Sequence, residues 1–172
     1  MTAAWGDVRV AWAEVPDHAG RRAVAWALLR GLLPPQARLS NPCPRCGGPH
    51  GPVRVAGAPF LASVSYAGGT AVAGVVPAAV ASAFGIDAEP DRDAADLAGV
   101  LGPAASVRDW TRVEAALKAD GRGLRVDPAR VRVAEAAGGW SAVVPGAPAF
   151  SGRELPGPPG VLVGAAVRWT AR

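Results

Sequence analysis

Of the 18 basic side chains in this chain, one is a lysine, Lys118, and the rest are arginines. Arginine keeps its proton near neutral pH, whereas a lysine ammonium loses it when burial lowers its pKa. A lone lysine therefore suits a job in which a proton is handed over. Glu114 lies four residues before it in Trp110-Thr-Arg-Val-Glu114-Ala-Ala-Leu-Lys118, one turn away on the same helix face. The plainer reading is a surface ion pair worth about a few tenths of a kcal/mol, and the lysine alone leaves both open. Asp87 and Glu89 stand two apart in the β-prone run Phe84–Glu89. Alternate strand residues share a face, so these carboxylates project side by side and suit bidentate capture of a hard cation. With Asp91, Asp93 and Asp96 they put five of the fourteen acidic residues within ten positions. Cys43-Pro-Arg-Cys46 with His50 offers three zinc-type ligands where a structural site takes four. The other histidine, His18, falls in the opening helix, so Cys43–His50 is read as a loop rather than a zinc site.

These residues need elements to hold them. Asp7–Val15 alternates Val8, Val10 and Trp12 against Arg9, Ala11 and Ala13 and reads as a strand. Asp17 is placed to cap a helix over His18–Leu33, with Val24, Ala27, Leu28 and Leu32 inward and Arg21, Arg22 and Arg30 on another face. Ser40–Pro52 is loop. Leu61–Tyr66 and Thr70–Val76 form a hairpin across Ala67-Gly68-Gly69. After the strand Phe84–Glu89, Asp93–Val100 is a short helix, and Ser106 caps the main helix, which Gly121 and Gly123 stop. Val131–Glu135, Trp140–Val144 and Val161–Trp169 are strands, with Pro145–Pro159 as a separator. The order β-α-βββ-αα-βββ predicts an α+β fold of two halves with antiparallel sheets, each with one principal helix, divided near Val76–Ala83. No residue-level repeat supports the duplication.

At 172 residues the chain is long enough for a buried core, to which six tryptophans bring most of the large packing volume. A net charge of +4 suits an acidic partner, a polyphosphate or nucleic acid without choosing among them. Aromatic residues are not interleaved with the basic ones as a nucleic-acid stacking platform requires. Met1–Glu14 lacks the pattern of a secretory signal, no apolar run reaches membrane-spanning length, and two cysteines are too few for a disulfide framework. A cytoplasmic protein is expected.

Gly85-Ile-Asp87-Ala-Glu89 followed by Trp110-x-x-x-Glu114-Ala-x-x-Lys118-x-x-Gly121-x-Gly123-Leu124 resembles the paired signature of the Sfp-type 4′-phosphopantetheinyl transferases. The first motif alone is weak, and the second in the right order after it is far more specific. The arginines of the first helix, the Cys-Gly-Gly-Pro-His50-Gly-Pro loop and Ser63-Val-Ser65-Tyr66-Ala-Gly68 fall in the expected sequence, so the resemblance covers roughly residues 18–135. It implies Mg²⁺-dependent transfer of 4′-phosphopantetheine from coenzyme A to a serine of an acyl or peptidyl carrier protein, releasing 3′,5′-ADP, as in secondary metabolism.

The fold it implies is a pseudo-twofold pair of halves in a monomer, with coenzyme A in the cleft between them. Residues 1–80 would supply nucleotide contacts, and residues 81–172 the metal site and catalytic helix. By resemblance, Asp87 and Glu89 hold Mg²⁺, while Glu114 completes the metal site, acts as base, or both. Lys118 contacts the diphosphate and serves the leaving group. Arg21, Arg22, His50, Arg54, Ser65 and Tyr66 lie where the family holds the nucleotide, with His50 equally readable as a loop cap and Ser65 as a strand-edge donor. Replacing Lys118 or Asp87 by alanine is expected to cost orders of magnitude in rate with little loss of fold.

The chain departs from the pattern at three places. Tyr66 stands where a histidine is usual, Val113 replaces a lysine, and the 90–109 linker is short. These departures motivate a second possibility, a degenerate relative that binds coenzyme A or a carrier without turnover.

Overall fold

The computed structural model describes residues 1–17, 20–92 and 97–171. In chain order, β1 (Thr2–Trp5) and β2 (Val8–Glu14) lead to helix α1 (Arg21–Leu32). A small hairpin of β3 (Arg38–Ser40) and β4 (Arg54–Ala56) comes next, then β5 (Phe60–Ala67), β6 (Thr70–Pro77) and β7 (Ala81–Pro90). A one-turn helix, α2 (Ala98–Leu101), precedes α3 (Val107–Asp120). After it come β8 (Arg132–Ala136), β9 (Gly139–Val143), β10 (Phe150–Glu154) and β11 (Val161–Trp169). The fold is α+β with antiparallel sheets. One sheet runs β1-β2-β6-β5, the other β7-β11-β10-β9-β8, and β3-β4 stands apart. The chain changes sheets between β6 and β7.

Alternation along the strands sets the layers. Val8, Val10 and Trp12 face inward and meet Phe84, Ile86, Val163 and Val167 of the second sheet in a shared apolar core. On the opposite face of the first sheet, Ala11, Ala73 and Val75 receive Leu29 and Leu32 of α1. Trp140, Ala142, Phe150 and Ala166 of the second sheet receive Val113, Ala116 and Leu117 of α3. The helices thus lie outside and the two sheets inside.

Several expectations need correction. The N-cap of α1 is Gly20, with no side-chain cap, so Asp17 does not cap it; His18 and Ala19 lie outside the described residues. The helix buries Ala25, Leu29 and Leu32, while Ala27 is exposed. In an Ala/Leu-rich helix, 25-29-32 is as regular a spacing as 24-28-32, and the small alanines of β2 and β6 accept Leu29. Phe150–Glu154, read as part of a separator, pairs with both β9 and β11, its prolines lying on either side of the strand. Strand β1 and the β3–β4 hairpin were also not expected. Of the helix predicted at Asp93–Val100, residues 93–96 lie outside the described ones, and α2 forms at its C-terminal end. Ser106 caps α3 and Gly121 ends it, as expected; the structure adds that the cap is a reciprocal capping box with Asp109 and that Gly121 is left-handed.

Candidate active site

Gly85 sets how closely β7 approaches α3. A Cβ there would lie 2.3 Å from both the Ala115 carbonyl oxygen and the Ala119 nitrogen, so only glycine fits. Two and four residues further on, Asp87 and Glu89 meet the same helix. From α3, Trp110, Glu114 and Lys118 come at intervals of four, hence on one face. The Lys118 ammonium donates to Asp87 Oδ1 at 2.6 Å and to Ser65 Oγ at 3.0 Å, and the Ser65 hydroxyl donates to the same Asp87 oxygen at 2.9 Å. The Trp110 indole N–H donates to Glu89 Oε1 at 3.1 Å. Trp110 stood in the motif without an assigned role; its spacing from Glu114 was the available signal.

The cluster is buried on its acidic side. Asp87 is 2% exposed, and its second oxygen, Oδ2, is buried without a partner. Burial pushes the Glu89 carboxyl above its ordinary range and the charge of Asp87 adds to the rise, opposed by the Trp110 hydrogen bond and Lys118. Glu114 is raised by burial first, then by Asp87, with Lys118 opposing and Glu89 adding. Three carboxylates therefore crowd one ammonium. The donor set fits a hard cation: an orphaned buried oxygen, and two raised carboxyls whose ionised forms added positive charge would favour. The three do not close into a ready-made cage, because Asp87 Oδ1 is turned to Lys118 and Glu89 Oε1 to Trp110.

Ser65 is committed to Asp87 and Lys118 and sits beneath them rather than at an open strand edge. Its neighbour two residues back, Ser63, accepts the Ile86 N–H at 3.1 Å. The two hydroxyls stitch the edge of β5 to the edge of β7, which no backbone ladder joins. Along this seam lies a cavity of about 690 Å³ whose walls include His50, Arg54, Phe84 and Lys118.

The other expected nucleotide ligands lie elsewhere. Arg21 places its guanidinium over the Tyr66 ring, 5.0 Å from the centroid, on the α1 side of the first sheet. Tyr66 is raised by burial, with Arg21 and Arg22 opposing. Arg22 donates to the Pro49 carbonyl at 2.8 Å and lines a groove of about 630 Å³ with Trp26 and Arg30. The predicted set thus divides, with His50, Arg54 and Lys118 around one cavity and Arg21, Arg22 and Tyr66 outside it. Val113 is buried in the apolar cluster of α3 with Val126 and Val131, facing away from Lys118, so the valine there removes no charge from the carboxylate site. The outer side of α3 is fixed by Arg112, which bonds Glu135 at 2.6 Å and Glu154 at 2.8 Å, and by an Arg108–Glu154 pair. Lying 23 and 42 positions from Arg112, these partners gave no local signal.

No family model and no curated protein matches this chain.

Proposed function

We propose that the protein transfers 4′-phosphopantetheine from coenzyme A to a carrier-protein serine. The observation that carries this is the convergence of Asp87, Glu89 and Glu114 on Lys118, whose side chain also lines the cavity of about 690 Å³ along the seam between the sheets. Asp87, Glu89 and Glu114 would hold Mg²⁺, which when bound neutralises charge on the diphosphate. Glu114, in the ionised form that a bound cation favours, would accept the proton of the carrier serine. The serine oxygen forms a bond to the phosphorus that carries the pantetheine arm. The P–O bond to the adenosine-side phosphate breaks, and Lys118 offers positive charge to the departing 3′,5′-ADP. His50 and Arg54 line the cavity where the nucleotide would lie, and arginine makes the bidentate phosphate contacts such a ligand needs.

The topology favours a duplicated architecture. β2 leads to α1 and later to β5 and β6, with β6 returning beside β2; β7 leads to α3 and later to β10 and β11, with β11 returning beside β7. Coenzyme A would lie between these units. The second possibility, coenzyme A or carrier binding without turnover, draws on Tyr66, which lies under Arg21 and brings no charge. Calorimetry with coenzyme A and Mg²⁺ and, separately, with apo carriers, run beside a transfer assay on those carriers, separates the two. Binding with transfer supports catalysis, binding without transfer supports the second reading, and neither defeats both.

A further inference from the structure

The loop between β3 and β4, whose His50 lines the cavity assigned above to the nucleotide, also gathers a second ligand set. Among the described residues, Cys43, Cys46 and His50 form the one group of three potential metal ligands whose donor atoms all lie within 4.8 Å of one another. The sulfur of Cys46 is 3.0 Å from His50 Nε2, and both cysteines are free thiols.

Backbone geometry presents these donors without help from a metal. The nearby backbone N–H groups of Arg45 and Cys46 hold the Cys43 thiol below its usual range. Immediately after Cys46 the chain turns back at Gly47, whose φ of 72° suits glycine, and the Gly47 N–H donates to the Cys43 carbonyl at 2.8 Å. Cys43 N–H donates to Gly48 O at 2.8 Å, His50 N–H to Gly48 O at 2.9 Å, and Gly51 N–H to Asn41 O at 2.8 Å. Asn41 and Arg22 each hold the Pro49 carbonyl at 2.8 Å, and the β3–β4 ladder closes the base. Little ordering remains to oppose binding.

We propose that Cys43, Cys46 and His50 form a zinc site with its fourth position open to solvent. Thiolate and imidazole donors suit zinc, and three protein ligands with a water complete a tetrahedron. The absent fourth ligand, which weighs against a buried structural site, is what an exposed three-ligand site requires: Cys46 and His50 are exposed and Cys43 partly so. On binding, the thiols release their protons to solvent and two thiolates cancel the charge of the ion. The positive charge of Arg45 and Arg54 is left undiminished. His50 and Arg54 line the 690 Å³ cavity, so the metal would clamp one wall of it.

The full chain, loaded with zinc and then desalted, is expected to retain about one zinc per chain by atomic emission. Cobalt in its place is expected to show thiolate-to-metal absorption. Zinc should protect both cysteines from alkylation, and a chelator should restore their reactivity. Cys43→Ser/Cys46→Ser is expected to abolish retention. His50→Gln should weaken binding by at least roughly 10- to 100-fold, no less than losing an outer partner of a ligand. Loss of metal on desalting, cobalt spectra without thiolate bands, affinity unchanged in His50→Gln, or a Cys43–Cys46 disulfide in freshly purified protein would each overturn the site. None of these readouts depends on transfer activity.

Discussion

Lys118 meets Asp87 across 31 positions of sequence, whereas Cys46 meets His50 across four. The first contact exists only after β7 and α3 have docked at Gly85, and it lies at the floor of a seam between two sheets. The second is made inside one hydrogen-bonded loop at the surface. Chemistry follows construction: the assembled cluster is buried, charged and hard, and the local one is exposed and soft. A cluster assembled by the global fold should share its stability with that fold, and a cluster held by its own loop should not.

The largest expected effect breaks this contrast or upholds it. Lys118→Met leaves the Asp87 carboxylate buried without its cation, which costs about 3–5 kcal/mol when one partner of a buried pair is removed. Transfer should fall by orders of magnitude in the same variant. The sequence alone leads to an expectation of little loss of fold on replacing Lys118 or Asp87; with Asp87 almost fully buried, a loss of stability is expected instead. Metal-free Cys43→Ser/Cys46→Ser should shift stability by no more than about 0.5 kcal/mol. Urea denaturation of both proteins makes the comparison, and equal losses would refute it.

Next in size is Gly85→Ala. Its Cβ cannot enter without parting β7 from α3, and overpacking of this kind costs about 1–3 kcal/mol. Lys118 would lose its register with Asp87, so transfer should fall together with the melting temperature, while zinc retention at the loop is unchanged. Activity preserved at lowered stability would show that the docking of β7 on α3 does not position the site.

A smaller effect concerns pH. In chelator, Glu89 and Glu114 hold their protons to higher pH folded than unfolded. Between the unfolded carboxyl range, about 4.3 for glutamate, and the raised folded values, the native state binds more protons, so stability falls as pH rises. The destabilisation is absent below that window and complete above it. Glu114→Gln should flatten this slope and stabilise the metal-free protein near neutrality, and Mg²⁺ should stabilise the wild type more than the variant. Melting temperatures across pH, with and without Mg²⁺, give the answer; a slope unchanged in Glu114→Gln removes Glu114 from the cluster.

The smallest effect is expected of Tyr66→Phe. Arg21 contacts the ring face rather than the hydroxyl, so activity and stability should stay within about 0.5 kcal/mol. Arg54→Ala, on the cavity wall, should instead raise KM for coenzyme A. If Tyr66→Phe has the larger effect on KM, the nucleotide lies on the α1 side and not in the seam.

How much was legible in the sequence depends on the distance over which each feature is specified. The Ser106 cap, the Gly68-Gly69 turn and the β2 alternation are local patterns, and each stands where the residues placed it. Asp87 and Glu89 on one face of β7, and Glu114 and Lys118 on one face of α3, were equally readable. Their meeting rested on two motifs that resembled one signature, and the structural cause is a single glycine. Ser65 was open to misreading because its partners, Asp87 and Lys118, come from two elements remote from β5. Strand β10 was hidden because prolines flanking a strand and prolines interrupting one give the same composition. The face of α1 was ambiguous because alanine and leucine satisfy two helical registers at once.

The most direct measurement is the intact mass of a panel of apo acyl and peptidyl carriers after incubation with this protein, coenzyme A and Mg²⁺, in parallel with Glu114→Gln. A gain of one phosphopantetheine arm on at least one carrier, lost in Glu114→Gln, is expected. No gain on any carrier while coenzyme A still binds, or an equal gain in Glu114→Gln, would contradict catalysis by the Asp87–Glu89–Glu114–Lys118 cluster.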